Sequence, residues 1–182
     1  MLAYPDFHSK EPFILDTDWS KDPGCIGAVL SQVQDGQERA ICYGAYKLSG
    51  PATNYSSNKG ELLAVIDFMR KWKYYLAYKP FILWTDHSAL RWIKMMEMPK
   101  GMILRWLETL GNNNFVIQFR DGKDQFNADP LSHCNHAPNR PDNDDPMDEE
   151  EDVAQMKAHN NLICTLVYPD ELTAGDITQH QE

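Results

Sequence analysis

Four carboxylates stand where a fold can bring them together: Asp18, Glu61, Asp86 and Asp129. Asp18 and Asp86 each end an apolar run, starting at Phe13 and Phe81 respectively. Glu61 opens a stretch with helical spacing, and Asp129 directly precedes Pro130. Clustered carboxylates repel one another, and burial disfavours their charged forms. A divalent cation relieves both costs, and an all-oxygen ligand set favours Mg²⁺ or Mn²⁺ over zinc. Two such ions about 4 Å apart can activate a water and stabilise a leaving oxygen in phosphodiester cleavage. Each residue also has an ordinary structural reading. Asp18 suits a turn, and Glu61 gains from the dipole of a first helical turn. Asp86 suits a cap before His87 and Ser88, and Asp129 with Pro130 matches an N-cap and a first-turn proline. Residue types and spacing suggest a metal site without proving one.

The elements that would position these groups are legible in outline. A strand runs from Phe13 into Asp16-Thr17-Asp18, and Lys21-Asp22-Pro23-Gly24 is a turn cluster. Residues 25–33 form a second strand, with Gly27 where a neighbouring backbone can approach closely. Asp35-Gly36 is a strong hairpin signal leading into a third strand over 39–48. Apolar residues at Leu62, Val65, Ile66, Met69, Trp72 and Leu76 recur at helical spacing over 61–76, and Pro80 blocks continuation. A buried strand over 81–85 follows, then helices over 88–96 and 102–110, a strand over 115–120 and a short helix from Pro130. The order β-β-β-α-β-α-α-β-α implies an α/β (mixed α+β) fold with a mixed sheet and helices on its faces.

Charge divides the chain. The 182 residues carry 17 Lys+Arg and 27 Asp+Glu, a net charge of −10. Residues 137–182 hold 12 of the acids and 2 of the bases, which leaves 15 of each in residues 1–136. The body is neutral and the tail acidic, so an acidic whole does not exclude a nucleic-acid partner. The tail composition, with unbroken acid over 148–152, is that of a disordered linker. No signal-peptide pattern is visible and no apolar run approaches the ~18 residues of a membrane span. The four cysteines form no C-x-x-C pair, which suits a reduced, intracellular setting. His133, Cys134 and His136 lack the second ligand pair a zinc site needs.

Five motifs then occur in order: Thr17-Asp18-Trp19-Ser20, Ile26-Gly27-Ala28-Val29-Leu30-Ser31-Gln32, Asn54-Tyr55-Ser56-Ser57 before Gly60-Glu61-Leu62-Leu63-Ala64-Val65, Trp84-Thr85-Asp86-His87-Ser88, and Asn127-Ala128-Asp129-Pro130-Leu131-Ser132. Together they resemble the ribonuclease H domain of Ty3/Gypsy-type LTR retrotransposon Pol polyproteins (reverse transcriptase/RNase H). The resemblance implies an RNase H-like fold, a five-stranded mixed sheet of order 3-2-1-4-5 flanked by helices. It implies endonucleolytic cleavage of the RNA strand of RNA–DNA hybrids by a two-metal-ion mechanism. The catalytic and metal-holding residues would be Asp18, Glu61, Asp86 and Asp129, with two Mg²⁺, replaceable by Mn²⁺. Asp16 competes with Asp18 for the first position. Ser57 and Asn58 would touch the hybrid, Ser57 having a capping role as its alternative. The implied partners are an RNA–DNA hybrid and the polymerase domain of the same polyprotein. The implied setting is intracellular, cytoplasmic in virus-like particles, or nuclear. Residues 1–11 would end the polymerase connection, 12–136 form the domain, and 137–182 lead toward the next polyprotein segment. A rival expectation is a non-catalytic nucleic-acid-binding or scaffolding module of a reverse transcriptase.

The sequence departs from that pattern in places. Trp19 follows the first Asp where a small residue is usual, Gly60 weakens the helix start, and Pro130 and His133 replace the usual Ala and Arg. No His stands between Arg120 and Ala128, and no basic handle helix is present before Phe115. His87 and His133 read as surface or capping residues.

Overall fold

The computed structural model describes residues 2–85, 101–118, 128–134 and 136–141. The described residues form strands β1 (Phe13–Ser20), β2 (Cys25–Gln34), β3 (Gln37–Lys47), β4 (Phe81–Trp84) and β5 (Phe115–Gln118). They also form helices α1 (Ser57–Lys71), α2 (Lys73–Leu76), α3 (Met102–Gly111) and α4 (Asp129–Ser132). The sheet order is β3-β2-β1-β4-β5, as expected. Strands β1, β2 and β3 are antiparallel, whereas β4 pairs parallel to β1 and β5 parallel to β4. The β2–β3 turn is built on Asp35 and Gly36, both at positive φ (55° and 73°), the two-residue geometry that matches strand twist.

Strand alternation assigns the sheet's two faces. Phe13, Leu15, Ile26, Ala28 and Leu30 join Leu62, Leu63, Val65, Ile66 and Met69 of α1 and Trp106 and Leu107 of α3 in one apolar core. Asp16 and Asp18 alternate onto the other face. Helix α1 starts at Ser57, earlier than the apolar spacing marks, because residues 57–60 are helical without contributing a periodic stripe. It is interrupted at Trp72, so the expected helix over 61–76 is two helices. The expected helix over 88–96 lies outside the described residues, as do positions 119–120 of the fifth strand.

Both flanks of the body are fastened to it. Buried Gln32 accepts from the Asp6 N–H (3.0 Å) and donates to the Asp6 and Glu11 carbonyls. Phe7 packs on Phe13 and Tyr78. Residues 137–141, where the composition turns linker-like, also lie on the fold. The Lys47 N–H donates to the Pro138 carbonyl (2.8 Å), and the Arg140 N–H to the Lys47 carbonyl (2.9 Å). Arg140 forms two hydrogen bonds with the carboxylate of Asp67 on α1, at 2.5 and 2.8 Å.

Cys25, Cys42 and Cys134 are free thiols. Burial pushes Cys42 up to about 11 and raises Cys25, so neither is a ready nucleophile. No helix of the described residues is long and apolar enough to cross a membrane.

Candidate active site

The C-terminal half of β1 serves two helices with successive residues. Asp18 faces α4 and Trp19 faces α1. Helix α4 reaches Asp18 because the strand opposite it is bare. Gly27 is the cross-strand partner of Asp18, and a Cβ there would lie 2.6 Å from the Ser132 nitrogen and 2.7 Å from the Leu131 Cβ. The α4 backbone rests directly on that glycine, the close approach its place in the strand suggested.

Helix α4 then presents three side chains to the site. The Ser132 hydroxyl is 2.5 Å from Asp18 Oδ2 and 2.9 Å from the Asp129 carbonyl. Having one proton, it can donate to only one of these acceptors at a time. Asp129 lies near enough for its charge to act on Asp18. His133 Nε2 is 3.5 Å from Asp129 Oδ1, and its Nδ1 is 3.2 Å from the Ser20 hydroxyl. Ser20 donates its own proton to the Asp22 carbonyl (2.7 Å), so the contact with His133 requires the proton on Nδ1. His133 is exposed and occupies the C-cap of α4, as its surface or capping reading expects, and in addition it lies against Asp129.

Burial raises the Asp18 carboxyl above its ordinary 3.8, and the charge of Asp129 raises it further. The Ser132 hydroxyl, the Trp19 backbone N–H and His133 oppose the shift without cancelling it. Asp18 therefore binds its proton more tightly in the folded than in the unfolded chain. In metal-free protein, stability is lost as pH rises from the unfolded value through the raised folded one. Asp18→Asn should then melt higher than the parent at pH 7 in chelator, with the difference closing near pH 3. Paired thermal melts at the two pH values check this.

The other expected site residues are placed as follows. Glu61 is the fifth residue of α1 and is buried. Asp16, the competitor of Asp18, is buried two residues deeper on the same strand face, and Asp18 is the one that meets α4. Asp86 lies outside the described residues, one position beyond buried Thr85. Asp129 is not the N-cap. Ala128 takes that place and Asp129 is the first helical residue, so the capping reading of Asp129 is corrected. Ser56, not Ser57, is the N-cap of α1, which corrects the capping reading of Ser57. Ser57 is exposed and Asn58 half-buried in the first helical turn. Among the described residues no three His, Cys, Asp or Glu side chains form a group that could hold a metal ion.

Sequence reasoning gave Ser132 no role. Its one signal is its spacing, three residues after Asp129, which returns its hydroxyl to the Asp129 carbonyl. Two separate departures also prove to be one arrangement: the Trp19 indole lies on Gly60, in space a Cβ would fill.

The chain matches the family described as "RNase H-like domain found in reverse transcriptase" over residues 8–112. It is 34% identical over 132 residues to the retrovirus-related Pol polyprotein from transposon 297 of Drosophila melanogaster, covering 72% of this chain and 12% of that protein. It is 35% identical over 147 residues to the Pol polyprotein from transposon gypsy of the same organism, covering 79% and 13%. The transposon Tf2-3 polyprotein of Schizosaccharomyces pombe is 35% identical over 187 residues, covering 99% of this chain and 13% of that protein. The chain thus spans only about an eighth of these relatives. Among solved structures, the foamy viral protease-reverse transcriptase in complex with dsDNA is similar with a TM-score of 0.54 at 12% identity, over 66% of this chain and 25% of that one. That likeness bears on the fold, and it agrees with the sheet order. With the family matched over more than half its length and these relatives in common, the chain belongs to the RNase H-like domains of reverse transcriptases from gypsy/Ty3-type retrotransposon Pol polyproteins.

Proposed function

We propose that this domain hydrolyses the RNA strand of RNA–DNA hybrids endonucleolytically during reverse transcription of a retrotransposon. The observation that carries this reading is the docking of α4 on Gly27, which sets the Ser132 hydroxyl on the Asp18 carboxylate and brings Asp129 within electrostatic reach of it.

The donors present fit a hard divalent cation. Asp18 and Asp129 offer only oxygen, and Asp18 is held above its ordinary pKa by burial and by its acidic neighbour, costs that a cation relieves. Asp18, Glu61, Asp86 and Asp129 would hold two Mg²⁺ or Mn²⁺ ions. The chemistry such ions supply when bound is a water activated near neutral pH and charge neutralisation at the departing 3′ oxygen. The chain's own residues do the positioning. Ser132 occupies Oδ2 of Asp18 and so restricts how that carboxylate can turn. Ser57 and Asn58, in the first turn of α1, would meet the minor groove of a hybrid, where 2′-hydroxyls and shape distinguish RNA from DNA. The polymerase domain of the same polyprotein would share the grip on the hybrid, in a cytoplasmic particle or in the nucleus.

The test is cleavage of an end-labelled RNA–DNA hybrid in Mg²⁺ or Mn²⁺. Asp18→Asn should slow it by about 10²–10³-fold, the scale for loss of one electrostatic contributor. Hybrid binding by the parent protein without metal-dependent cleavage would instead support a scaffolding module.

A further inference from the structure

Trp19 links the two sides of the site. Its backbone N–H lies close enough to the Asp18 carboxylate to favour the charged form. Its side chain lies on Gly60, the residue before Glu61, and a Cβ at that glycine would overlap the indole. Across the sheet Trp19 is paired with Ile26, which is fully buried. The indole Nε1 is itself buried and meets no hydrogen-bond partner among the described residues. An amphipathic ring placed only for solubility or surface cover would direct that N–H to water or to an acceptor. Here the ring contributes volume, filling the space between the strand that carries Asp18 and the helix turn that carries Glu61.

We propose that Trp19, seated on Gly60, is a positioning residue that sets the separation of Asp18 and Glu61 and thereby the affinity of the site for a divalent cation. The proposal rests on the carboxylate site described above. A residue smaller than tryptophan leaves a gap into which the start of α1 can shift. A side chain at position 60 pushes the ring, and the helix turn with it, away from β1. The pair therefore acts as one spacer, and its members are coupled. Because the buried N–H is unspent, phenylalanine should replace tryptophan with little loss.

The experiment measures Mn²⁺ binding to the full chain, without nucleic acid, by electron paramagnetic resonance, together with thermal melts in chelator. Trp19→Ala should weaken Mn²⁺ binding about 10- to 100-fold, the range for outer partners of metal ligands, and Trp19→Phe should restore most of it. Gly60→Ala should lower the melting temperature of the parent. In the Trp19→Ala background the same change should raise it, since alanine favours helix once the clash is gone. Unchanged Mn²⁺ affinity in Trp19→Ala, or an effect of Gly60→Ala that is the same in both backgrounds, overturns the proposal. Mn²⁺ binding that depends on Trp19 in a protein that cleaves no hybrid supports it and rejects the catalytic reading. A parent chain that binds no Mn²⁺ overturns both.

Discussion

Arg140→Ala should destabilise the domain by about 3–5 kcal/mol, the cost of leaving a buried charge without its partner. The Asp67 side chain is 2% exposed and that of Arg140 15%, and two hydrogen bonds join them in fork geometry. Removing the guanidinium strands a buried carboxylate on α1 without its ion-pair partner. At this size the loss corresponds to a fall in melting temperature on the order of 10 °C. The pair's net value is smaller than this figure, because burying both ions has its own cost. Asp67→Leu combined with Arg140→Met should therefore melt closer to the parent than Arg140→Ala alone. Truncation after His136 should cost more than Arg140→Ala, since it removes the same guanidinium and also the backbone pairing of Pro138 and Arg140 with Lys47. Equal melting of the parent and Arg140→Ala would show that the pair does not form in solution.

Gly27→Ala should reduce hybrid cleavage about 100-fold while costing only about 1–3 kcal/mol of stability. The added Cβ would sit 2.6 Å from the Ser132 nitrogen and 2.8 Å from the Leu131 carbonyl carbon. These are backbone atoms and cannot rotate away, so α4 must lift. Lifting a four-residue helix disturbs little of the core, but it carries Asp129 away from Asp18 and breaks the Ser132 hydrogen bond. Cleavage should then fall through kcat more than through KM, because the disturbed groups hold each other and not the bulk of the substrate. Steady-state kinetics beside a thermal melt separates the two effects. A variant that cleaves normally would show that α4 does not position the site.

What the sequence made legible follows from the range of the forces involved. The turn at Asp35-Gly36 and the helix over 102–110 are set by local turn chemistry and by apolar period; the turn falls where expected and the helix ends within a residue, while β3 begins at Gln37, two residues before its expected start. Gly27 was readable because an interior strand glycine asks for a reason. The start of α1 was less so, because Ser57 to Gly60 carry no apolar stripe and Gly60 argues against helix. Asp129 was assigned to the wrong cap position because Asp-Pro satisfies two adjacent patterns equally well. The link from Ser132 to Asp18 and the pair of Arg140 with Asp67 join residues far apart in the chain, and no local pattern marks them. Asp67 carried half a signal, an acid amid the apolar residues of a helix that must be buried. Its partner sits in a segment whose composition reads as linker.

Strand β3 has consequences beyond the site. It is the edge of the sheet over eleven residues, and both flanking segments pair with it: the Ala3 N–H with the Ala40 carbonyl, and Asn139 alongside Lys47. The two attachment points are seven residues apart on one extended strand, a span of about 23 Å at roughly 3.3 Å per residue. Ala3 and Asn139 therefore lie along one side of the molecule, an arrangement that suits a unit joined to neighbouring segments without threading through them. The same two pairings occupy stretches of an edge that would otherwise recruit strands from other copies.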